Sequence, residues 1–271
     1  MYLTAERVAI VNHTIKETFE QTCIAWQAIP HWDTGDPGQT AVVNDDPGNS
    51  VVNIRHATEP VNLTVGDLIA PTPDAMLAKI NPAVVALAAK VDGFVVPLLR
   101  NVALNIVKIV NPADDPPKMV GGVIDARVHL ESAGFRAPSA AFADADSMKA
   151  LYQLVGGYAP VKDPILEAGN INAPYRVDTF TNPDITAPPK QALPAGDTLR
   201  AVVLGRRQRI APGYAADASP GEEPVDLAVS IPPSFEIVGE TAANSILINV
   251  RISYAVRPKA VNGLVLITNG P

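Results

Sequence analysis

The chain has 271 residues, a formal net charge of −7, 47% apolar residues and 18% charged residues, a charged share below the roughly 25% of an ordinary soluble protein. That balance, with no basic block or tail, excludes binding that neutralises many phosphates through clustered Lys and Arg. The length suffices for one large domain or two small ones with a substantial core.

Low charge at ordinary hydrophobicity predicts that polar surface is buried against copies of the chain or a partner. Proline is frequent, 26 of 271, about twice the usual share of about 5%. The prolines are spread out, so they predict rigid loops and extended arms. Cys23 is the single cysteine, so no intramolecular disulfide forms. It lies in an apolar helical pattern and reads as a small core residue rather than a nucleophile. The opening Met-Tyr-Leu-Thr-Ala-Glu-Arg has no basic start and long apolar run, so no signal peptide is expected. No run of about 18 apolar residues predicts a membrane span.

In chain order, residues 3–29 predict a helix capped by Thr4, with Val8, Val11, Ile15, Phe19 and Ala25 at loose helical spacing and Pro30 as its stop. His31 to Gly38 predicts extended chain and turn. Thr40–Asn44 and Ser50–His56 flank Asp45-Asp-Pro-Gly-Asn49, strong turn chemistry, and predict a β-hairpin. Its strands are weakly amphipathic, and a hairpin that cannot bury a face at home tends to lie on a neighbour. Val61–Val65 is a further strand. Asn81-Pro82 predicts a helix start. Val84, Leu87, Ala88, Val91, Phe94, Val95, Leu98, Leu99 and Val102 then form the strongest helical stripe of the chain, interrupted by Pro97.

Met119–Glu131 reads as a strand. Asp144 or Asp146 can cap a helix through Val155, with Met148, Leu151, Tyr152 and Val155 inward and Gly156 as its stop. Residues 157–198 read as loop, punctuated by prolines 160, 164, 174, 183, 188, 189 and 194. Leu199–Leu204, Val225–Ser230 and Phe235–Val238 are strands. Ile246–Arg257 alternates without a break. Ile246, Ile248, Val250, Ile252, Tyr254 and Val256 share one face; Leu247, Asn249, Arg251, Ser253, Ala255 and Arg257 share the other. Pro258 ends this strand. Its apolar face is expected on the long helix, with Arg251 and Arg257 toward solvent or a neighbouring subunit. Gly263–Thr268 is a short apolar strand.

Chemistry is sparse, and no catalytic, cofactor-binding or metal residue is assigned. His13, His31, His56 and His129 form no metal spacing, and His31-Trp-Asp33 is at best a partial ligand set. Asp45-Asp46 and Asp114-Asp115 each precede proline, so turn formation explains them better than a hard cation. Gly121-Gly122 and Gly156-Gly157 read as turn glycines. Glu222-Glu223 lies in a Pro/Gly loop with nothing to raise a pKa. There is no G-x-S-x-G, P-loop or dinucleotide fingerprint. Arg206, Arg207 and Arg209 read as salt-bridge partners on a strand, with phosphate contact as the alternative.

Four passages, in order, resemble the major capsid proteins of tailed bacteriophages, the Johnson fold shared with encapsulins. Leu87 to Val96 (LAAKVDGFVV) looks like that family's spine helix. Ala137 to Gly157 looks like the start of its axial domain. Leu193 to Gly205 (LPAGDTLRAVVLG) is similar to the passage by which the chain leaves that domain. Arg257 to Ile267 (RPKAVNGLVLI) follows the long strand like the family's closing segment. The resemblance implies an α+β fold with an N-terminal arm (1–38), an extended β-hairpin loop (39–66), a peripheral domain with the spine helix (67–118), an axial domain (119–200) and return strands completing the peripheral domain (201–271). It places the axial tip at the Pro-rich loop 157–175.

The same resemblance implies a non-enzymatic shell protein that assembles as pentamers and hexamers into an icosahedral capsid around double-stranded DNA, touched weakly and without specificity. An encapsulin-like compartment shell, or another β-rich virion protein, is the alternative. It implies a virion location, assembly in the host cytoplasm, and a separate scaffolding protein, a portal and decoration proteins as partners, with no membrane. Residues 39–66 contain no lysine, so subunit crosslinking through a loop lysine is not expected. A scaffolding region ahead of the arm is not expected either.

Overall fold

Thr4 opens helix α1 (Ala5–Thr22), its side chain accepting the Arg7 N–H at 3.3 Å. Val11, Ile15 and Phe19, one turn apart, form the buried stripe. The computed structural model describes residues 4–110, 116–155, 159–241 and 245–270. Instead of one helix to residue 29, the chain breaks at Cys23 and resumes as α2 (Ile24–Ala28). Cys23 supplies no side-chain cap. The cap comes from Asp92, whose carboxylate accepts the N–H of Ile24 at 3.0 Å and of Ala25 at 2.8 Å, and the Cys23 thiol at 3.2 Å. Burial pushes the Asp92 carboxyl up, against the pull of these donors. Cys23 is fully buried, the small core residue its pattern predicts.

Two sheets organise the rest. The first has the order β1 (His31–Asp33), β11 (Val225–Thr241), β12 (Ser245–Pro258), β4 (Arg55–Thr64). The alternating segment is β12, and Ile246, Ile248, Val250, Ile252, Tyr254 and Val256 are all buried. They share one core with α1, the short helix α3 (Val65–Ile69) through Leu68, and the long helix α4 (Asp74–Val102), as the periodicity requires. β11 joins the two strands expected at 225–230 and 235–238. Its pairing with β12 shifts between Ile231 and Ser234, where Pro232 and Pro233 have no N–H to donate.

The second sheet has the order β5 (Asn105–Val110), β13 (Leu264–Gly270), β10 (Thr198–Arg206), β6 (Ala137–Ala143), β9 (Ile171–Arg176). Alternate residues face opposite ways. Phe142, Val202, Leu204, Leu264 and Leu266 join the core of the first sheet. Ala141, Ala143, Ala201, Val203, Val265 and Ile267 face helices α5 (Pro116–Ser132), α6 (Ala145–Tyr152) and α7 (Lys162–Ala168).

Helix α4 starts at Asp74, not at Pro82, because Met76 and Ile80 extend the buried stripe by more than a turn. It has the length and hydropathy of a membrane span, but its apolar stripe is occupied by the core. Pro97 lies inside it and leaves the Gly93 carbonyl without its helical donor. Asn182 fills that place, donating its amide at 2.6 Å. Lys190 N–H caps the Asn101 carbonyl at 2.7 Å, and Arg55 pairs with Asp184 at 2.7 Å. The proline-rich stretch 177–197 is thus partly a strap along α4.

Four readings need correction between 116 and 176. Met119–Glu131 is helix, not strand: Val123, Ala126 and Leu130 bury one helical face. Gly121 and Gly122 are helical, and Gly122 is required there, since a Cβ would sit 2.3 Å from Ile109. Asp144 is the cap of α6, accepting Ser147 N–H at 2.7 Å, but the helix ends at Tyr152, which is exposed. Val155 lies instead in β7 (Leu154–Val155), paired with β8 (Ala159–Pro160). Residues 162–168 are α7 and 171–176 are β9, so the described part of 157–175 is mostly helix and strand, not loop. Pro164 fits the first turn of α7, where its N–H has no helical partner anyway. Gly156-Gly157 and Asp114-Asp115 lie outside the described residues.

Candidate assembly surfaces

The hairpin forms as expected, from β2 (Ala41–Val43) and β3 (Val51–Asn53). Asp46 holds its turn, accepting Ser50 N–H at 2.8 Å and Ser50 Oγ at 2.9 Å, which draws the Asp46 pKa down. Contrary to the amphipathicity argument, the hairpin buries one face at home. Val42 and Val52 oppose each other and pack with Ile54, Trp32, Ala228 and Ala255 over the outer side of β11 and β12.

Arg257 fastens the hairpin there. It does not face solvent or a neighbour, because its partners are inside its own subunit. It is 6% exposed and makes a two-pronged pair with Asp226, Nε to Oδ1 at 2.7 Å and Nη2 to Oδ2 at 2.8 Å. Its Nη1 donates to the Val43 carbonyl and to Asp45, both at 2.9 Å. Its guanidinium lies 4.8 Å from the Trp32 ring centre. Lys259 approaches Asp226 at 2.9 Å. Two cations and two carboxylates balance, which removes the unpaired buried charge that would otherwise be costly. Arg251 is partly exposed and pairs with Glu236 at 2.7 Å. Nothing in the sequence signalled that Asp226, Lys259 and Trp32 meet at Arg257, because they come together only through the β11–β12 pairing and the parallel entry of β1.

What the hairpin leaves outside is apolar. Val43 and Val51 pair across its strands and are 51% and 66% exposed. Two other apolar pairs are exposed, Ile237 and Val238 on β11 and Ile124 and Val128 one turn apart on α5. The free edge of β4 is guarded instead. Pro60 pairs with Asn249 and has no N–H to offer, and Lys90 donates to the Thr58 carbonyl at 2.9 Å while pairing with Glu59. Proline on an edge strand hinders the addition of another strand, and Lys90 reaching over from α4 occupies the Thr58 carbonyl.

No group of three or more His, Cys, Asp or Glu able to hold a metal occurs among the described residues. His13 pairs with Glu17 on the surface of α1, and His56 Nδ1 lies 2.7 Å from Ser253 Oγ. The His31 ring lies 3.6 Å from that of Trp26, centre to centre and tilted by 31°, and burial lowers its pKa to about 4. The arginine cluster divides. Arg206, 1% exposed, donates to the carbonyls of Ala28 at 2.8 Å and Ile210 at 3.3 Å, not to carboxylates. Arg207 lies over Phe135 and donates to the Glu222 carbonyl. Arg209 is exposed. Glu223 accepts the backbone N–H of Arg207 and Gln208, and burial raises its pKa. These groups organise a loop.

No family model matches the sequence, and no curated protein matches it. The fold has many solved counterparts. The chain superposes on the virus-like particle from Pyrococcus furiosus with a TM-score of 0.60 at 11% identity, covering 97% of this chain and 98% of that one. It superposes on a phage-related protein from Bordetella bronchiseptica RB50 with a TM-score of 0.60 at 12% identity, covering 94% and 96%. It superposes on a chain of Mycobacterium phage Adephagia with a TM-score of 0.55 at 9% identity, covering 92% and 90%. The chain has the phage-capsid fold that its order of elements suggested.

Proposed function

We propose that this protein is a structural shell subunit, not an enzyme, which self-assembles as pentamers and hexamers into an icosahedral capsid around double-stranded DNA. The observation that carries the reading is the end-to-end likeness to a virus-like particle, over 97% of this chain. Three exposed apolar pairs, on the hairpin, β11 and α5, supply surface for contacts between copies. The acidic balance suits a wall that holds DNA without gripping it.

In this reading residues 1–38 are an arm, 39–66 an extended loop, 67–118 and 201–271 a peripheral domain, and 119–200 an axial domain. A scaffolding protein, a portal and decoration proteins are its partners, and assembly occurs in the host cytoplasm. A cargo compartment without a genome is the second reading, since the likeness is to a particle described only as virus-like. Electron microscopy of particles recovered from cells tests both. Shells filled with DNA support the capsid, shells filled with protein support the compartment, and monomers under every condition contradict both.

A further inference from the structure

Between the second sheet and its helices lies an apolar cavity of about 130 Å³. Its floor is short by sequence. Ala143 stands directly opposite Ala201 across the β6–β10 pair, and Ala141 opposite Val203. On the other side of the same strands the positions are Phe142, Val202 and Leu204. Interiors are close-packed, so alanines at the centre of a face roofed by Leu151, Ile165 and Leu166 leave space that larger aliphatic residues would fill. The mouth is polar and fixed. Arg200 bridges Asp144 at 2.9 Å and Asp146 at 3.3 Å, and Ser147 Oγ donates to the Arg200 carbonyl.

We propose that this cavity is a binding site for a small apolar molecule, an aromatic ring or short alkyl group of benzene size. Its lining is almost free of polar atoms, so water gains few partners inside, and an apolar cavity of this size suits one such ring. Lys149 also pairs with Asp146, at 3.4 Å, so two cations face two carboxylates at the mouth and no unmatched charge demands an ionic ligand. A ligand there would join α6 and α7 to the sheet through contacts that the alanines do not make.

Benzene is the probe, added to the full-length chain. At about ten times its Kd it should raise Tm by about 3–6 °C. Ala201→Leu, which fills the floor, should abolish that rise. In the unsubstituted chain, benzene should move the ¹³C methyl signals of Ile109, Ile165 and Ile267 saturably and leave Ile15 and Ile80, in the other core, in place. The methyl titration stands even if Ala201→Leu fails to fold. Absence of saturable shifts, equal shifts in both cores, or an undiminished Tm rise in folded Ala201→Leu would each overturn the proposal.

Discussion

Arg257, near the end of β12, and Asp226, near the start of β11, face each other as a buried two-pronged ion pair at 2.7 and 2.8 Å. From this pair a single guanidinium reaches the Val43 carbonyl and Asp45, tying the hairpin to the sheet. Arg257→Ala leaves Asp226 with Lys259 and the Trp32 N–H as its remaining partners and frees the hairpin at once. Breaking a buried pair from one side costs about 3–5 kcal/mol where the other charge is left unpaired, and Lys259 holds the cost here to about the low end of that range. Chemical denaturation should show a loss of that order. Hydrogen exchange should show the Asn44 amide, which donates to the Ser50 carbonyl, losing protection first. A loss below about 1 kcal/mol would mean that the pair does not secure the hairpin.

The hairpin turn is a separate matter. Residues 45–49 contribute Asp45 to the clasp, but the Arg257–Asp226 pair and the Val42 contacts lie outside them. Deleting 45–49 should leave a folded subunit, with circular dichroism and Tm near those of the parent, and impair particle formation. Equal loss of folding and assembly would show that the turn serves the subunit's own stability.

Asn182 and Pro97 form a compensating pair. Pro97 takes away the helical donor to Gly93, and Asn182 replaces it. Asn182→Ala should cost about 1–2 kcal/mol by leaving that carbonyl unpartnered. Pro97→Ala restores a backbone N–H that can bond the Gly93 carbonyl within the helix, so in that background Asn182→Ala should cost little. A double-mutant cycle measures the difference; strictly additive costs would rule out the exchange.

His31 sets a pH dependence. Its folded pKa is about 4, against an ordinary value of 6.5, because it is buried beside Trp26. The unfolded chain therefore takes up a proton below about pH 6.5 that the folded chain refuses until about pH 4. The folded chain loses stability as pH falls through that window, by roughly 2–3 kcal/mol in all. Denaturant midpoints between about pH 7 and pH 4 should fall less steeply in His31→Phe than in the parent. Parallel curves would show that His31 titrates normally.

Much of the fold was legible where one period persisted. The alternation of Ile246–Arg257 predicted β12 and its buried face, and the stripe from Val84 to Val102 predicted most of α4. Short or mixed signals failed for physical reasons. Helix α5 was hidden by Val120, Gly121, Gly122, Val123 and Ile124, which resemble a strand, and its glycine is there for the approach of Ile109. Helix α7 and strand β9 were hidden by Pro164 and Pro174, which sit in a first turn and on an edge strand, where proline does little harm. The clasp was illegible because charge balance at Arg257 depends on a carboxylate from another strand. The apolar hairpin tip at Val43 and Val51 was visible only as weak amphipathicity, since which face is covered is decided by β11 and β12.

The shell itself is tested most directly by electron microscopy of the purified chain, alone and together with the scaffolding protein proposed above. Closed particles built of five- and six-subunit rings are the predicted result. Monodisperse monomers in both preparations, across protein concentration and salt, would contradict it.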